Sequence, residues 1–362
     1  MESNIYKNVL FVIPDQFGYS AGYYYYCKYL IQEGFDSVGV ICLDCGKPKV
    51  EAPEGTAVYY VKAKNALHNR LQMLLVFLSV KKHYQRYIIK QFIGVSIFTF
   101  FCKSQDSWLD IRTGSVRKRV LSRFIENKII LLESSLFHKI FILSLPLAKK
   151  LNLKENKIVW LPLGADEISK EKKDYLQSMN FLYIGTFYGR NLHQCIEGFA
   201  KFYLEYREKI NISFDIVGDG PNSDVLRINS VIYGNKLNDI VKLHGELNHL
   251  DATALFEKCN FGVSYVPMTD FYQLQPPTKI FEYVLSGLVC IATNTIANRE
   301  LISQDNGMLH NDDPSSFYEA LVKAYNYREH YRTTAVKSTL IDYSWQNIVR
   351  SIIIKSITNQ VS

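Results

Sequence analysis

The 362-residue sequence lacks the features that mark membrane-spanning and secreted proteins. It has no uninterrupted run of about 18 apolar residues, so no membrane-spanning helix is expected. The opening stretch, MESNIYKNVLFVIPD, lacks the basic, apolar and small-residue order of a signal peptide, so none is expected. The seven cysteines are odd in number, and without a signal peptide they favour reduced thiols in the cytosol over a disulfide framework.

Complete metal-binding and nucleotide-binding motifs are also missing. Cys42 and Cys45 have CxxC spacing, but no second pair completes a zinc site, so two thiols at the end of a strand are the preferred interpretation. Neither 18–22 nor 218–220 completes the GxGxxG fingerprint, and no GxxxxGKS/T loop occurs. Taken alone, each of these glycine pairs predicts a tight turn better than a phosphate-binding loop.

The composition is that of a globular protein. With 48% hydrophobic and 21% charged residues, the chain is not of the disordered class. At this length two domains are the default. The net charge of +7 suits anionic partners, such as nucleotide phosphates or a lipid surface, without requiring nucleic acid.

Strands and helices alternate along the chain, which is typical of α/β domains with a parallel sheet. The strands predicted in the first half are 8–15, 37–44, 96–101, 107–111, 138–144 and 157–166, with a helix at 23–34. Those of the second half are 181–186, 213–220, 240–245, 261–267 and 288–294, with helices at 191–208, 222–236, 250–259 and 278–286. The charged segment 167–180 is the predicted linker. We therefore expect domains at 1–168 and 169–343, and a C-terminal part, 344–362, whose helix crosses back to the first domain.

The stretch PPTKIFEYVLSGLVCIATN (276–294) places a glutamate inside an otherwise apolar helix. The two prolines predict the start of this helix, and Gly287 predicts its end. Lys279, Glu282 and Ser286 follow one another at spacings of three and four, on a face distinct from the apolar one. That face must contact solvent or a ligand.

Two predicted helix starts carry cations, and helix N-termini attract anions. Arg190 stands just before the helix that begins near Asn191, although an isolated loop arginine could also be merely exposed. Thr278 and Lys279 would offer a diphosphate amides, a hydroxyl and an ammonium group. Glu282 would instead accept hydrogen bonds from neutral hydroxyls, such as a ribose diol. A site for charge beside an acceptor for hydroxyls suits a nucleotide sugar.

Six pieces in order resemble the donor domain of retaining GT-B glycosyltransferases of the family-4 type: YIGTFYGRNL, FDIVGDGP, VKLHGEL, LFEKCNFGVSYVP, PPTKIFEYVLSGLVCIATN and NGML. The first half matches more loosely, through 109–116, 137–151 and 159–166. The resemblance implies an α/β GT-B fold, with two Rossmann-like, doubly wound parallel-sheet domains facing a cleft. It also implies transfer of a sugar with retention from a nucleotide sugar, UDP being favoured, to a glycan or lipid-linked glycan in surface polysaccharide (capsule, O-antigen or exopolysaccharide) synthesis.

The family's functional residues carry over unevenly. Glu282 matches the glutamate that the resemblance implies to bind ribose. Arg190 matches the basic residue that it implies to contact the leaving diphosphate. Thr186 stands near the place of a second basic residue, so Lys279 is the candidate for its charge. Leu274 replaces a glutamate that normally helps to hold the donor sugar. The residues of the glycine-containing turns, and a backbone contact to the base at His244, complete the predicted donor-binding set. Its members are Gly18, Tyr19, Gly185, Thr186, Arg190, Gly218, His244, Thr278, Lys279 and Glu282.

Asp110 and Arg112 follow a predicted strand in the acceptor half. Asp110 could accept a proton from the incoming hydroxyl, and Arg112 could hold a phosphate. The alternative is an ion pair that fixes a loop. The predicted catalytic set is Asp110, Arg112, Arg190 and Lys279.

Residues 112–128 carry six basic side chains against Glu126. They predict either a solvated helix face or a contact with anionic lipid or a lipid-pyrophosphate acceptor. Nucleic acid is not expected, because no aromatics interleave with these charges. The expected location is the cytoplasm, with the inner face of the membrane as a second possibility.

No DxD triplet occurs, so we expect neither a metal nor another cofactor, the nucleotide sugar being a substrate. Two other functions stay open: a nucleotide-sugar epimerase of the same architecture, and an inactive GT-B module that binds sugar nucleotides or serves as a scaffold. The replacement at Leu274 keeps the inactive module open, whereas the LDIRTGS stretch and the basic segment speak against the epimerase.

Overall fold

The computed structural model describes residues 7–20, 22–115, 119–269, 272–274 and 276–358. The chain forms two compact units. The first comprises the residues up to Leu163 together with those from Trp345 onward, and the second is Gly164–Ser344. Each unit contains one parallel sheet covered by helices, which confirms the predicted α/β class.

The sheet of the first unit has seven parallel strands. They are β1 (Asn8–Val12), β2 (Ser37–Asp44), β3 (Thr56–Lys62), β4 (Arg86–Lys90), β5 (Ser107–Ile111), β6 (Lys139–Ile142) and β7 (Ile158–Trp160). Their order in the sheet is β3-β2-β1-β4-β5-β6-β7, so the direction of winding reverses between β1 and β4. The helices of this unit are α1 (Tyr23–Gln32), α2 (Ala66–Val80), α3 (Val120–Ser134) and α4 (Leu145–Lys150).

The strands of the first unit are apolar on both faces because helices cover both. Along β1, Leu10 and Val12 point into the core under α2, α3 and α4. Val9 and Phe11 point into the opposite core, under α1. The alternation of side chains along a strand therefore supplies two cores from one sequence of apolar residues.

The sheet of the second unit has six parallel strands. They are β8 (Ser178–Ile184), β9 (Asn211–Val217), β10 (Val241–Gly245), β11 (Phe261–Ser264), β12 (Val289–Thr293) and β13 (Gly307–His310), in the order β10-β9-β8-β11-β12-β13. The helices are α5 (Leu192–Tyr206), α6 (Asn222–Gly234), α7 (His249–Lys258), α8 (Thr278–Leu285), α9 (Ile296–Arg299), α10 (Pro314–Tyr327) and α11 (Thr333–Ser338). Winding reverses between β8 and β11, where this architecture places ligands.

The last helical segment belongs to the first unit. It consists of α12 (Trp345–Ile348), a π-helical stretch (Val349–Ile354) and α13 (Lys355–Ile357). The Trp345 ring stacks on Tyr25 of α1. The buried Arg86 donates from Nε to the carbonyl of Ile357 at 2.6 Å, which holds the end of the segment on this unit.

Several local predictions differ from the structure. Residues 96–101 are not a strand but part of a 3-10 helix, Val95–Phe101, because the Glu133 carboxylate accepts hydrogen bonds from the Gly94 and Ser96 amides and fixes a tight turn there. The strands β3, β4 and β13 were not predicted.

The segment 167–180 is not an exposed linker. Lys173 is buried and donates to the Phe256 carbonyl, and the Ile168 amide donates to the Ser286 hydroxyl. These contacts lie within the second unit, which therefore begins at Gly164 rather than at 169.

Candidate functional site

The candidate site lies where β8 and β9 end and where α5 and α8 begin. Gly218 follows β9 at φ 136°, and a Cβ there would overlap the carbonyl oxygen of Gly185, which follows β8. The close approach of the two backbone turns therefore requires a glycine at 218, and the backbone conformation of Gly185 (φ 147°) favours a glycine there. The Gly185 amide donates to the Val217 carbonyl, which continues the pairing of the strands up to this edge.

Lys279 lies in the first turn of α8 and points toward the Gly185 turn. Its Nζ is 3.9 Å from the centre of the Tyr183 ring, and a Cβ at Gly185 would lie 2.9 Å from the same nitrogen. The N-cap of α8 is Pro277, which makes no side-chain capping hydrogen bond. The positive end of this helix and the ammonium group thus act in the same place.

Arg190 lies immediately before α5, whose N-cap, Asn191, is left-handed (φ 52°) and also makes no side-chain cap. The guanidinium is stacked 4.4 Å from the ring centre of Tyr272. Its Nε and Nη1 are buried and have no hydrogen-bond partner among the described residues. Buried donors of this kind normally have partners, and an anion is a ligand that would satisfy them.

The two cations influence each other. Burial, and after it the positive charge of Arg190, lower the pKa of Lys279 from its ordinary 10.5 to about 7. No carboxylate forms an ion pair with either cation in the part of the chain that the structure describes. The nearby Glu282 offsets part of the charge of Lys279 without an ion-pair contact, so the site keeps positive charge that its own residues do not fully neutralise.

Glu282 lies one turn into α8 and is half-buried. Burial raises the pKa of its carboxyl, and the nearby Lys279 lowers it in part. Its carboxylate has no hydrogen-bond partner among the described residues. Thr278 is likewise half-buried, at the first position of the helix. Of the helix face that the sequence singled out, Lys279 rests on the Tyr183 ring and Glu282 has no hydrogen-bond partner, whereas the Ser286 hydroxyl accepts from the Ile168 amide.

Two members of the predicted donor-binding set have other contacts. His244 Nε2 lies 2.7 Å from Oδ1 of the buried Asp215, whose other oxygen accepts from Lys258. The imidazole is therefore part of a hydrogen-bonded cluster between β9, β10 and α7. Thr186 is exposed, and its hydroxyl accepts from the Tyr188 amide.

The sequence patterns did not indicate the two aromatic rings that contact the cations. Tyr183 lies on β8 and its hydroxyl donates to the Thr186 carbonyl, so its ring is fixed beneath Lys279. Tyr272 lies in a 3-10 turn (Tyr272–Leu274) inside a segment without periodicity. Tyr183 could have been found within the YIGTFYGR motif, whereas nothing in the sequence singles out Tyr272 among 25 tyrosines.

In the first unit, Asp110 and Arg112 form an ion pair with Nε 2.7 Å from Oδ1. Asp110 is fully buried and also accepts from the Tyr23 hydroxyl at 2.5 Å. Arg112 donates further to the Tyr26 hydroxyl and the Leu161 carbonyl. This arrangement corresponds to the structural alternative, because a carboxylate without solvent exposure cannot reach an incoming hydroxyl.

Gly18 and Tyr19 are exposed in the turn that follows β1. Gly18 has φ 87°, and a Cβ there would overlap Val50, so the two loops touch at this point. The Tyr19 hydroxyl donates to the Pro48 carbonyl, and the buried Gln16 ties the same loops together through the Lys47 backbone. The turn is thus held by the loop after β2.

Two further properties concern metals and membranes. Among the described residues, no three His, Cys, Asp or Glu side chains come together in a way that could hold a metal ion. In the same part of the chain, no helix combines the length and the apolar character that crossing a bilayer requires. Residues 116–118 of the basic segment 112–128 lie outside the described residues.

Residues 178–326 match the family model of glycosyl transferases group 1. Over this stretch the chain is similar to group 1 glycosyltransferases, which supports a glycosyltransferase enzyme. No curated protein sequence matches the chain. The matched residues contain every element of the candidate site.

Three solved structures show the fold of the whole glycosyltransferase. A glycosyltransferase from Rickettsia africae has a TM-score of 0.71 at 14% identity, with 98% of this chain and 100% of the other covered. HepE from Anabaena, in complex with UDP, has a TM-score of 0.69 at 11% identity, with 97% of this chain and 100% of the other covered. WaaG, a glycosyltransferase involved in lipopolysaccharide biosynthesis, has a TM-score of 0.62 at 14% identity, with 97% of this chain and 99% of the other covered. These similarities confirm the predicted two-domain, Rossmann-like GT-B fold.

Replacing Asp110 separates its structural role from its predicted catalytic one. Asp110→Asn leaves Arg112 without its partner in a buried place, so we expect the free energy of unfolding to fall by about 3 kcal/mol. Turnover per folded molecule should be retained. Urea unfolding and activity corrected for folded fraction are the measurements, with Tyr23→Phe as a matched variant that keeps the ion pair. Unchanged stability with a loss of turnover of several orders of magnitude would show that Asp110 acts on the acceptor.

Proposed function

We propose that the glycosyltransferase moves a sugar from a nucleotide-sugar donor bound in its second unit to a hydroxyl of a glycan or lipid-pyrophosphate-linked acceptor. The observation that carries the proposal is the pair Arg190 and Lys279, which have no anionic partner among the described residues and lie beside two helix N-termini without side-chain caps. A diphosphate is an anion that two cations beside uncapped helix starts can bind.

Each site residue then has a distinct task. Arg190 and Lys279 stabilise the negative charge that grows on the diphosphate as the sugar leaves, which lowers the barrier when the charges are already in place. Thr278 adds a hydroxyl and an amide at the start of α8. Glu282 accepts hydrogen bonds from the ribose hydroxyls, because a carboxylate next to a diphosphate would favour neutral donors. The backbone after β10 contacts the base.

UDP is the favoured nucleotide. HepE from Anabaena was solved with UDP and, in a second structure, with UDP and glucose. Its likeness to this chain lies at 11–12% identity. We extend UDP from that protein to this one together with the preference expected from the resemblance to family-4 enzymes. No side chain near His244 selects uracil by itself.

The finer features of the reaction belong to the same proposal. Transfer proceeds with retention, and the diphosphate itself assists deprotonation of the acceptor. Arg190 and Lys279 take the place of a divalent ion, because the sequence offers no DxD motif. The product belongs to surface polysaccharide, and the chain works in the cytoplasm with residues 112–128 facing an anionic membrane.

Binding of UDP and of inorganic pyrophosphate to three variants tests the assignment. Arg190→Ala removes a buried cation, so we expect both ligands to bind about tenfold or more weakly. Glu282→Gln should weaken the binding of UDP and leave the binding of pyrophosphate unchanged, because only UDP carries a ribose. Isothermal titration calorimetry gives both dissociation constants, with the exposed Arg227→Ala as the matched control.

Two outcomes would contradict the function. If Arg190→Ala binds both ligands as tightly as the unchanged protein, the diphosphate lies elsewhere. If the unchanged protein releases UDP from a UDP-sugar at the same rate with and without every glycan or lipid-linked acceptor, it is not a transferase, and an epimerase or a binding module takes its place.

The low pKa of Lys279 makes diphosphate binding depend on pH. In the free protein this group loses its proton above about pH 7, and a bound diphosphate raises its pKa again. The affinity for UDP should therefore fall as pH rises above 7, by up to about tenfold per unit. Lys279→Arg stays charged and should show no such fall. Calorimetry at pH 8 in buffers of different ionisation enthalpy should detect proton uptake by the unchanged protein; equal pH profiles for both proteins would disprove the linkage.

A further inference from the structure

Exposed apolar side chains are concentrated in one part of the first unit. Of the 24 large apolar side chains that are exposed in the described part of the chain, 12 lie between residues 67 and 136. The surface of a soluble protein rarely carries so many large apolar side chains in one region. Such a concentration indicates a surface that contacts a membrane or another protein.

The helix α2 carries the first part of this surface. Leu67, Leu71 and Leu75 recur every four residues and are 67%, 50% and 58% exposed. They form a stripe along one side of α2, while Met73 and Phe77 on the other side are buried in the core. The stripe is therefore not part of the packing of this unit.

The first two turns of α3 carry the second part. Val120, Leu121, Phe124 and Ile125 are between 51% and 70% exposed, and all residues from 119 to 125 are exposed. This half of the helix projects from the unit with apolar side chains around it. Lys128 Nζ lies 5.5 Å from the Phe124 ring centre, as a basic side chain does when its stem lies along an apolar surface.

The 3-10 helix Val95–Phe101 joins these two parts. Its Phe98 packs on Phe77 of α2, and the Glu133 carboxylate of α3 accepts hydrogen bonds from the Gly94 and Ser96 amides. Phe100 on its outer side is 76% exposed. The three elements are thus held to one another, and each carries exposed apolar side chains.

The charges of this surface have one sign. Among the described residues 64–115 and 119–136, no acidic side chain is exposed, since the four present are buried or half-buried. The exposed charged side chains of these ranges are all basic: Lys64, Lys82, Lys103, Arg119, Arg123 and Lys128. Apolar side chains within a basic border are the pattern of a protein that lies on an anionic bilayer.

We propose that the outer surface of α2, the 3-10 helix Val95–Phe101 and α3 docks on a bilayer that contains anionic lipid. The apolar side chains enter the boundary between headgroups and acyl chains, and the basic residues contact lipid phosphates. A second copy of the chain fits less well, because it would bring two sets of basic residues together. The proposal extends the membrane contact of 112–128 to three elements, and it stands independently of the donor.

Co-sedimentation with vesicles tests this surface on the full-length protein. We expect binding to vesicles of phosphatidylcholine with 30% phosphatidylglycerol, and at least about tenfold weaker binding to phosphatidylcholine alone. The triple variant Leu121→Ser, Phe124→Ser, Ile125→Ser should lose about tenfold or more in partitioning. The pair Arg119→Glu, Arg123→Glu should lose the preference for anionic vesicles. The variant Leu226→Ser, Tyr233→Ser, exposed on α6 of the second unit, should bind as the unchanged protein does.

Three results would overturn the proposal. One is an unchanged protein that binds neither vesicle. Another is a triple variant that binds as well as the control variant. The third is that, in sedimentation velocity without lipid, the unchanged protein self-associates and the triple variant is monomeric. Circular dichroism shows whether each variant is folded, and UDP binding measured without lipid keeps a failure here distinct from a failure of the proposed function.

Discussion

The donor site depends on two positive charges that the fold holds close together without neutralising them. Bringing a lysine out of water beside an arginine is unfavourable, and the depressed pKa of Lys279 records that cost. The stacked rings of Tyr183 and Tyr272 offset only part of it, since a ring offers far less than a carboxylate. The charge becomes favourable when an anion binds, so the free site is prepared for its ligand.

The parallel sheet explains why these groups meet. In a doubly wound sheet, the carboxyl ends of all strands reach one edge, and the following helices start there with their positive ends. The chain reverses its winding between β8 and β11, which opens room at the ends of these strands. Gly185 and Gly218 let two turns approach each other at that place, and Arg190 and Lys279 stand at the starts of the two helices beside them.

The sequence was sufficient for the features that depend on local patterns. Five of the six strands of the second unit, all but β13, follow from periodicity, and the start of α8 after two prolines follows from backbone restraint. The structure brings together Arg190, Lys279 and Gly185, which the sequence had singled out from motifs about 90 residues apart in the chain.

Features that depend on distant contacts were not predictable in this way. Residues 96–101 have the composition of a strand, but the carboxylate of Glu133, far along the chain, fixes them as a 3-10 helix. His244 lies at the expected strand end, yet the buried Asp215 on the neighbouring strand determines where its ring points. Asp110 is buried because Tyr23 reaches it from α1. In each case the deciding partner is remote in sequence and has no local signal.

A crystal structure of the protein with UDP tests the central claim most directly. It should show diphosphate oxygens at about 2.7–3.2 Å from the guanidinium of Arg190 and from Nζ of Lys279, with the ribose hydroxyls on Glu282. A diphosphate bound away from both cations, with Lys279 still resting on the Tyr183 ring, would contradict the account.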